Sequence, residues 1–278
     1  MKSRWNRWLM RGAQSKAHAA YLKKMRTKEI AVTTCRLAIL IAFVAGWEWG
    51  ARSGLLDPFI FSSPGRIVET FVQMWVEGGL WKDIGITVSE TVLGFILGTG
   101  AGTALATLIW YSPFLSRVLD PYLVVLNSMP KVALGPLFIV TIGAGFGSIL
   151  AMAIAITIII TTLVMYSSFQ SVGQEFLQLA RSFGATRGQV FRKIIFPASI
   201  PDLIAALKVN VGLAWVGVIV GEFLVSKAGL GHLIIYGFQV FNLTLVMMSL
   251  VIVALIATAM YEAVSRMEKR LLRHRQLD

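Results

Sequence analysis

Residues 171–201 read SVGQEFLQLARSFGATRGQVFRKIIFPASIP, a polar and basic stretch set between two long apolar runs, about 148–167 and 200–224. Ser171 and Gln174 have the spacing of a capping box, so a helix is expected to start there with its free amides satisfied. Gly184 supplies the left-handed residue that closes a helix, because it has no Cβ to clash. Thr186 and Gln189 repeat the capping-box spacing and open a second short helix, which Pro197 is expected to stop. Ser199, Pro201 and Asp202 then read as the start of the next apolar helix, with proline in the first turn and an acid near the positive end. The stretch is thus expected to be two short helices joined at a glycine and held just outside a membrane, a shape suited to docking.

Working outward, the chain of 278 residues is 56% hydrophobic and 14% charged, with mean hydropathy +0.72. Its apolar residues come in long runs, which means an all-α integral membrane protein. A spanning helix needs about 20 mainly apolar residues. Six such spans are expected, at about 32–51, 84–111, 118–142, 148–167, 200–224 and 243–261. The first carries Arg36 near one end and Trp47 and Trp49 at the other. Residues 52–83 form a near-neutral connecting segment with a surface helix expected around Ile67 to Trp75, and residues 226–242 read as a loop.

The second span places Gly94, Gly98, Gly102 and Ala106 on one stripe, which lets another helix approach closely. Glu90 lies one step above it, and an acid there is costly unless it faces protein or a water-filled path. The third span holds Pro121, Pro130 and Pro136, so kinks or local unwinding are expected, with Asn127, Ser128 and Lys131 clustered at the middle proline. The fourth, of Ile, Ala, Met and Thr, carries no chemistry of its own. In the fifth, Lys208, Trp215 and Glu222 are seven residues apart and share a face, with Asn210 nearby. Glu90, Lys131, Lys208 and Glu222 can be charges near the interface or can line a translocation path. Asn127, Ser128 and Asn210 can line that path or join helices by hydrogen bonds, and Trp215 can contact a ligand or simply pack.

The net charge is +12, and residues 1–28 contain nine Lys or Arg and no acid. This reads as retention beside anionic lipid rather than nucleic-acid binding, and residues 1–31 are taken as a basic tail with amphipathic character. Residues 266–278 form a second basic tail, and the membrane domain covers 32–265 with its polar loop at 168–199. Both tails, Arg117 and the basic loop fall on one side of a six-span arrangement, so the positive-inside rule puts both termini in the cytoplasm. The basic start is too long for a cleavable signal peptide. The single Cys35 rules out an intrachain disulfide, and no metal cluster is expected from the scattered His18, His232 and His274. GxxxxGK[ST], HExxH and GxSxG are all absent, so the chain is not expected to be an enzyme.

The loop also resembles a specific family, the permeases of binding-protein-dependent ABC importers. Their cytoplasmic loop carries Glu-Ala-Ala, three residues, Gly, nine residues, Ile, one residue, then Leu-Pro. The matching residues are Gln178, Leu179, Ala180, Gly184, Ile194, Phe196 and Pro197, with departures at 178, 179 and 196. The wider text, including VGEFL and AGLGHLI, resembles the nitrate, sulfonate and taurine branch over roughly residues 60–265. The resemblance implies a type I importer permease fold in the inner membrane. It also implies a second permease subunit (expected to be an identical copy), two ATP-binding cassette subunits that hold ATP and magnesium, and an external solute-binding protein. Arg181, Ser182, Phe183, Gly184 and Ala185 are then the surface expected to enter the ATPase groove, with Phe183 as apolar anchor. The implied substrate is a small anion such as nitrate, a sulfonate or taurine. The alternatives are a thiamine-pyrimidine precursor or an ion-coupled carrier or channel built on Glu90, Lys131 and Glu222.

Overall fold

The computed structural model describes residues 15–272, side chains of Lys16, Ala19 and Leu272 excepted. The basic residues Lys2, Arg4, Arg7, Arg11, Arg273 and Arg275 lie outside the described residues. The chain divides into two units at Val68 and Glu69.

In the first unit, α1 (Lys16–Arg52) is one helix of 37 residues, begun by Ser15, whose hydroxyl accepts from the His18 amide. It starts well before the apolar run at residue 32, so the described part of the basic tail is helical and continuous with the span. Glu48 ties the far end down: its carboxylate accepts from Arg52 Nε at 2.6 Å and from the Gly65 amide at 2.9 Å. Trp47 Nε1 donates to the carbonyl of Phe61, the last residue of the short helix α2 (Pro58–Phe61). Helix α3 (Pro64–Glu77) begins in this unit and continues into the second, and it is longer than the surface helix expected from the sequence.

The second unit is a helical bundle. α4 (Leu80–Tyr111) pairs most extensively with α7 (Phe146–Ser171), and the glycine stripe is the reason. A Cβ on Gly98 would lie 1.8 Å from Thr157 Oγ1 and 3.3 Å from the Ile154 Cα. Gly94 and Gly102 meet Ala153 and Thr161 in the same way, so the two backbones touch along the stripe. α7 contributes more than bulk: Thr162 Oγ1 donates to the Gly102 carbonyl across the seam.

Between these helices the third span is broken. α5 (Pro113–Ser128) and the segment Lys131–Ile142, a 3₁₀ turn followed by α6 (Gly135–Ile142), meet at 94°. Pro130 marks the break. Pro121 is absorbed inside α5, and Pro136 sits harmlessly in the first turn of α6, where its missing N–H has no partner to lose.

The polar loop follows as α8 (Gln174–Ser182) and α9 (Arg187–Val190), then a π turn (Phe191–Ile195) and the single-turn helix α10 (Phe196–Ala198). α11 (Ile200–Val225) crosses back, and α13 (Leu243–Leu272) ends the described chain. Residues 226–242 are not the plain loop expected: α12 (Leu230–Gln239) occupies most of them. Among the described residues, five helices are long and apolar enough to cross a membrane, or six if the bent pair counts as one span. No strand occurs among the described residues.

Candidate functional site

Two features carry chemistry: the loop 174–197 and a set of polar groups inside the bundle.

The loop's first helix does not begin at the expected box. Ser171 remains part of α7 and donates to the Ser168 carbonyl, so Gly173 becomes the N-cap, without a side-chain bond. Its end follows the expectation. Gly184 takes φ +73°, and the amides of Gly184 and Ala185 close back on the carbonyls of Arg181 (2.9 Å) and Ala180 (3.0 Å). The Thr186 box is complete: Thr186 N donates to Gln189 Oε1 at 2.8 Å and Gln189 N to Thr186 Oγ1 at 3.3 Å. Pro197 does not stop the chain. Proline cannot donate within a helix, and the π turn before it takes up the mismatch, the Phe196 amide reaching the Phe191 carbonyl, so the helical path runs on to Ser199. Asp202 enters the first turn of α11 as expected and accepts from Ser168 Oγ at 2.5 Å. Ser199 gives no side-chain cap and its hydroxyl is buried without a partner.

The motif positions divide by direction. Ala180 and, beyond it, Val190 and Ile195 are buried in a cluster with Ala106, Met165 and Phe169, and Ala185, Ile194 and Phe196 pack against it. Phe191, which sequence reasoning passed over, is the hub: its ring centroid lies 5.2 Å from Trp110, 5.3 Å from Tyr111, 5.2 Å from Phe169 and 6.0 Å from Phe196. Arg187 Nη1 adds a bond to the Tyr111 carbonyl at 3.3 Å. Gln178, Leu179, Arg181, Ser182, Phe183 and Gly184 all point outward. Phe183 is 83% exposed, so it does not pack back on its own chain.

Inside the bundle, the candidate polar residues separate into four places rather than one. Glu222 and Glu90 are fully buried and their carboxyls meet. Glu222 accepts from Thr87 Oγ1 at 2.7 Å and from the Gly231 amide at 2.5 Å, while Thr87 Oγ1 accepts from the Leu230 amide at 2.7 Å. Asp83 accepts from the Gly229 amide at 2.7 Å. The first turn of α12 is therefore capped by Asp83 and Thr87 of α4, 146 and 143 positions away, and by Glu222 of α11, nine positions away, and one Glu90 oxygen is left without a partner. At the second place, buried Asn210 donates to Thr99 Oγ1 at 3.0 Å and Thr161 Oγ1 at 2.6 Å, joining α11, α4 and α7. The fourth span, expected to carry no chemistry, thus supplies an acceptor here. Trp215 is buried in an apolar cluster with Val211 and Val264. The third place is an ion pair of Lys208 with Glu268, which fastens α11 to the end of α13.

The fourth place is the break in the third span. Lys131 Nζ donates at 2.8 Å to the Asn127 carbonyl, an acceptor that a continuous helix would have bonded, and Ser128 Oγ bonds back to the Val124 carbonyl at 2.9 Å within α5. Asn127 and Ser128 are exposed and Lys131 is half-buried, unlike Glu90, Asn210, Trp215 and Glu222. No group of His, Cys, Asp and Glu fit to hold a metal occurs among the described residues.

Comparison with known proteins gives this geometry its setting. The chain is 27% identical over 242 residues to the aliphatic sulfonates transport permease protein SsuC of Bacillus subtilis, covering 86% of this chain and 87% of that one. It is 31% identical over 240 residues to the riboflavin transport system permease protein RibX of Chloroflexus aurantiacus, covering 85% and 87%. Among solved structures, a bacterial ABC transporter involved in the import of the acidic polysaccharide alginate aligns at TM-score 0.64 and 14% identity, over 90% of this chain and 99% of that one. That likeness speaks to the fold alone. Residues 93–273, which hold both the loop and most of the bundle, match the family model for the binding-protein-dependent transport system inner membrane component, and the chain is a multi-pass inner-membrane permease subunit belonging to that family.

Proposed function

We propose that the loop 174–197 receives the motion of partner ATPase subunits and passes it to the bundle, which opens a path for a small solute to either side of the membrane in turn. The observation that carries this reading is Phe183, an aromatic ring 83% exposed at the tip of a loop whose base is anchored inward through Ala180, Ile194 and Phe196. A rigid base with an apolar tip suits an element that transmits displacement. ATP and magnesium belong on the partners, and both termini, with the loop, face the cytoplasm, a sidedness supported by the positive-inside distribution. A second permease copy, two ATPases and an external binding protein complete the assembly; membrane lipid surrounds it, and nucleic acid has no part.

Of the polar residues, we assign Asn127, Ser128 and Lys131 to the path, because they are accessible and sit where a span is broken. Glu90, Lys208, Asn210, Trp215 and Glu222 are assigned to holding helices together. The cation of Lys131 favours an anionic solute of the sulfonate, taurine or nitrate class. The riboflavin-transport relative supports a second reading, a heterocyclic vitamin or a pyrimidine precursor of thiamine. Reconstitution tests the mechanism: uptake into liposomes should require the ATPases, ATP and the binding protein together. Uptake by this chain alone would establish an ion-coupled carrier or channel instead. Ligand binding by the soluble binding protein, measured with taurine, an alkanesulfonate, nitrate, riboflavin and an aminopyrimidine, decides the solute.

A further inference from the structure

Helix α3 has an apolar arc wider than its own chain covers. At 100° per residue, Met74, Ile67, Phe71, Trp75, Val68, Val72 and Val76 follow one another around roughly 200° of the helix, and Glu69, Gln73, Arg66 and Glu77 take the remainder. One flank is covered: Ile67 is buried, and Phe71 and Met74 are half-buried. The other is bare, with Val72 53% and Val76 79% exposed and Val68 and Trp75 exposed beside them. The polar arc is internally satisfied at Gln73, whose Nε2 donates to Glu77 Oε1 at 2.9 Å.

The position of this bare flank follows from α4. Its 32 residues span about 48 Å at 1.5 Å per residue, close to the ~40–45 Å of a bilayer with its headgroups. Trp110 and Tyr111 close one end of α4 and Trp81 stands in the first turn of the other, the two levels where amphipathic rings settle. Trp81 is exposed and meets Trp75 of α3 with ring centroids 3.8 Å apart, and Trp75 meets Phe71 at 5.4 Å. Only Gly78 and Gly79 separate the two helices. The apolar flank of α3 is therefore continuous, through this stack of rings, with the membrane boundary of α4.

We propose that α3 is an interfacial helix whose Val72, Trp75 and Val76 flank is buried at the headgroup–acyl boundary of the bilayer. The occupant is lipid, and the attraction is apolar: within α3 one Arg stands against two Glu, so anionic headgroups supply no pull. The inference rests on α4 crossing the membrane and is independent of the loop and path assignments.

The test uses the full-length chain carrying Cys35→Ser, reconstituted in phospholipid nanodiscs, with a single nitroxide at Val72→Cys, Val76→Cys, Gln73→Cys or Glu77→Cys. Accessibility to oxygen, which concentrates among acyl chains, is compared with accessibility to a water-soluble nickel chelate. Labels at 72 and 76 should favour oxygen, and labels at 73 and 77 on the polar arc should favour nickel, a reversal between neighbouring positions. Nickel access at 72 and 76 equal to that at 73 would place the flank in water and overturn the proposal. Labels at 72 and 76 shielded from both reagents would mean protein covers the flank, a second copy or an external partner, and would overturn it equally.

Discussion

Replacing Phe183 with alanine should weaken the grip of the ATPase subunits without weakening the permease itself. Burying a whole Phe side chain is worth about 1.5–3 kcal/mol. Because 83% of Phe183 is exposed in the free chain, nearly all of that gain is open to a partner. Truncation should therefore cost about 2 kcal/mol of association, roughly 30-fold in Kd at 1.4 kcal/mol per tenfold change. Titrating permease in nanodiscs with purified ATPase subunits measures this directly, and ATP-driven uptake should fall alongside. The melting curve of the permease alone should stay where it was, since an exposed substitution of this kind shifts stability by less than about 0.5 kcal/mol. Phe191→Ala is the counterpart: it removes the ring at the centre of the loop's base and should destabilise the permease itself by about 3 kcal/mol. An unchanged Kd for Phe183→Ala, or a drop in its melting temperature, would refute the division of the loop into an outward tip and an inward base.

Three further outcomes are expected. Gly98→Val forces a side chain into Thr157 and the Ile154 backbone, and should lower stability by about 3 kcal/mol or prevent assembly; Gly100→Ala, with nothing within 4 Å of the added carbon, should leave the detergent melting temperature unchanged or slightly raised. Glu222→Ala strands the buried Gly231 amide and should cost about 2–3 kcal/mol, whereas Glu222→Gln keeps an acceptor there and should lose less; limited proteolysis near residues 226–231 reports the loosening. Lys208→Ala and Glu268→Ala should each shift the melting temperature, and the double variant should be no worse than the more damaging single one, as for two ends of one ion pair.

How far the fold could be read from the chain varied with the range of the forces involved. The Thr186 box, the left-handed Gly184 and the glycine stripe were legible because each is fixed by residues a few positions apart. Helix α12 was not, since its amides at 229, 230 and 231 are capped by Asp83, Thr87 and Glu222, and no local Ser, Thr or Asp announces its start. The same distance hid the work of Glu222, whose bond to Thr87 spans 135 positions. The Ser171 box failed because α7 ran on past the expected boundary and left Gly173 to open the next helix. Pro197 misled for a related reason, as a π turn one step earlier absorbs a residue that would otherwise break the helix.

The split of the loop also bears on how such a subunit could change allegiance. Two of its three departures from the family pattern, Gln178 and Leu179, lie on the exposed rim, while the third, Phe196, is tucked against the base. The rim can vary without disturbing the scaffold that carries it, so under the proposed coupling role recognition of a particular motor would be written on a replaceable edge. Exchanging that edge alone, with the foundation left intact, is the economical way to re-address a permease to a different engine.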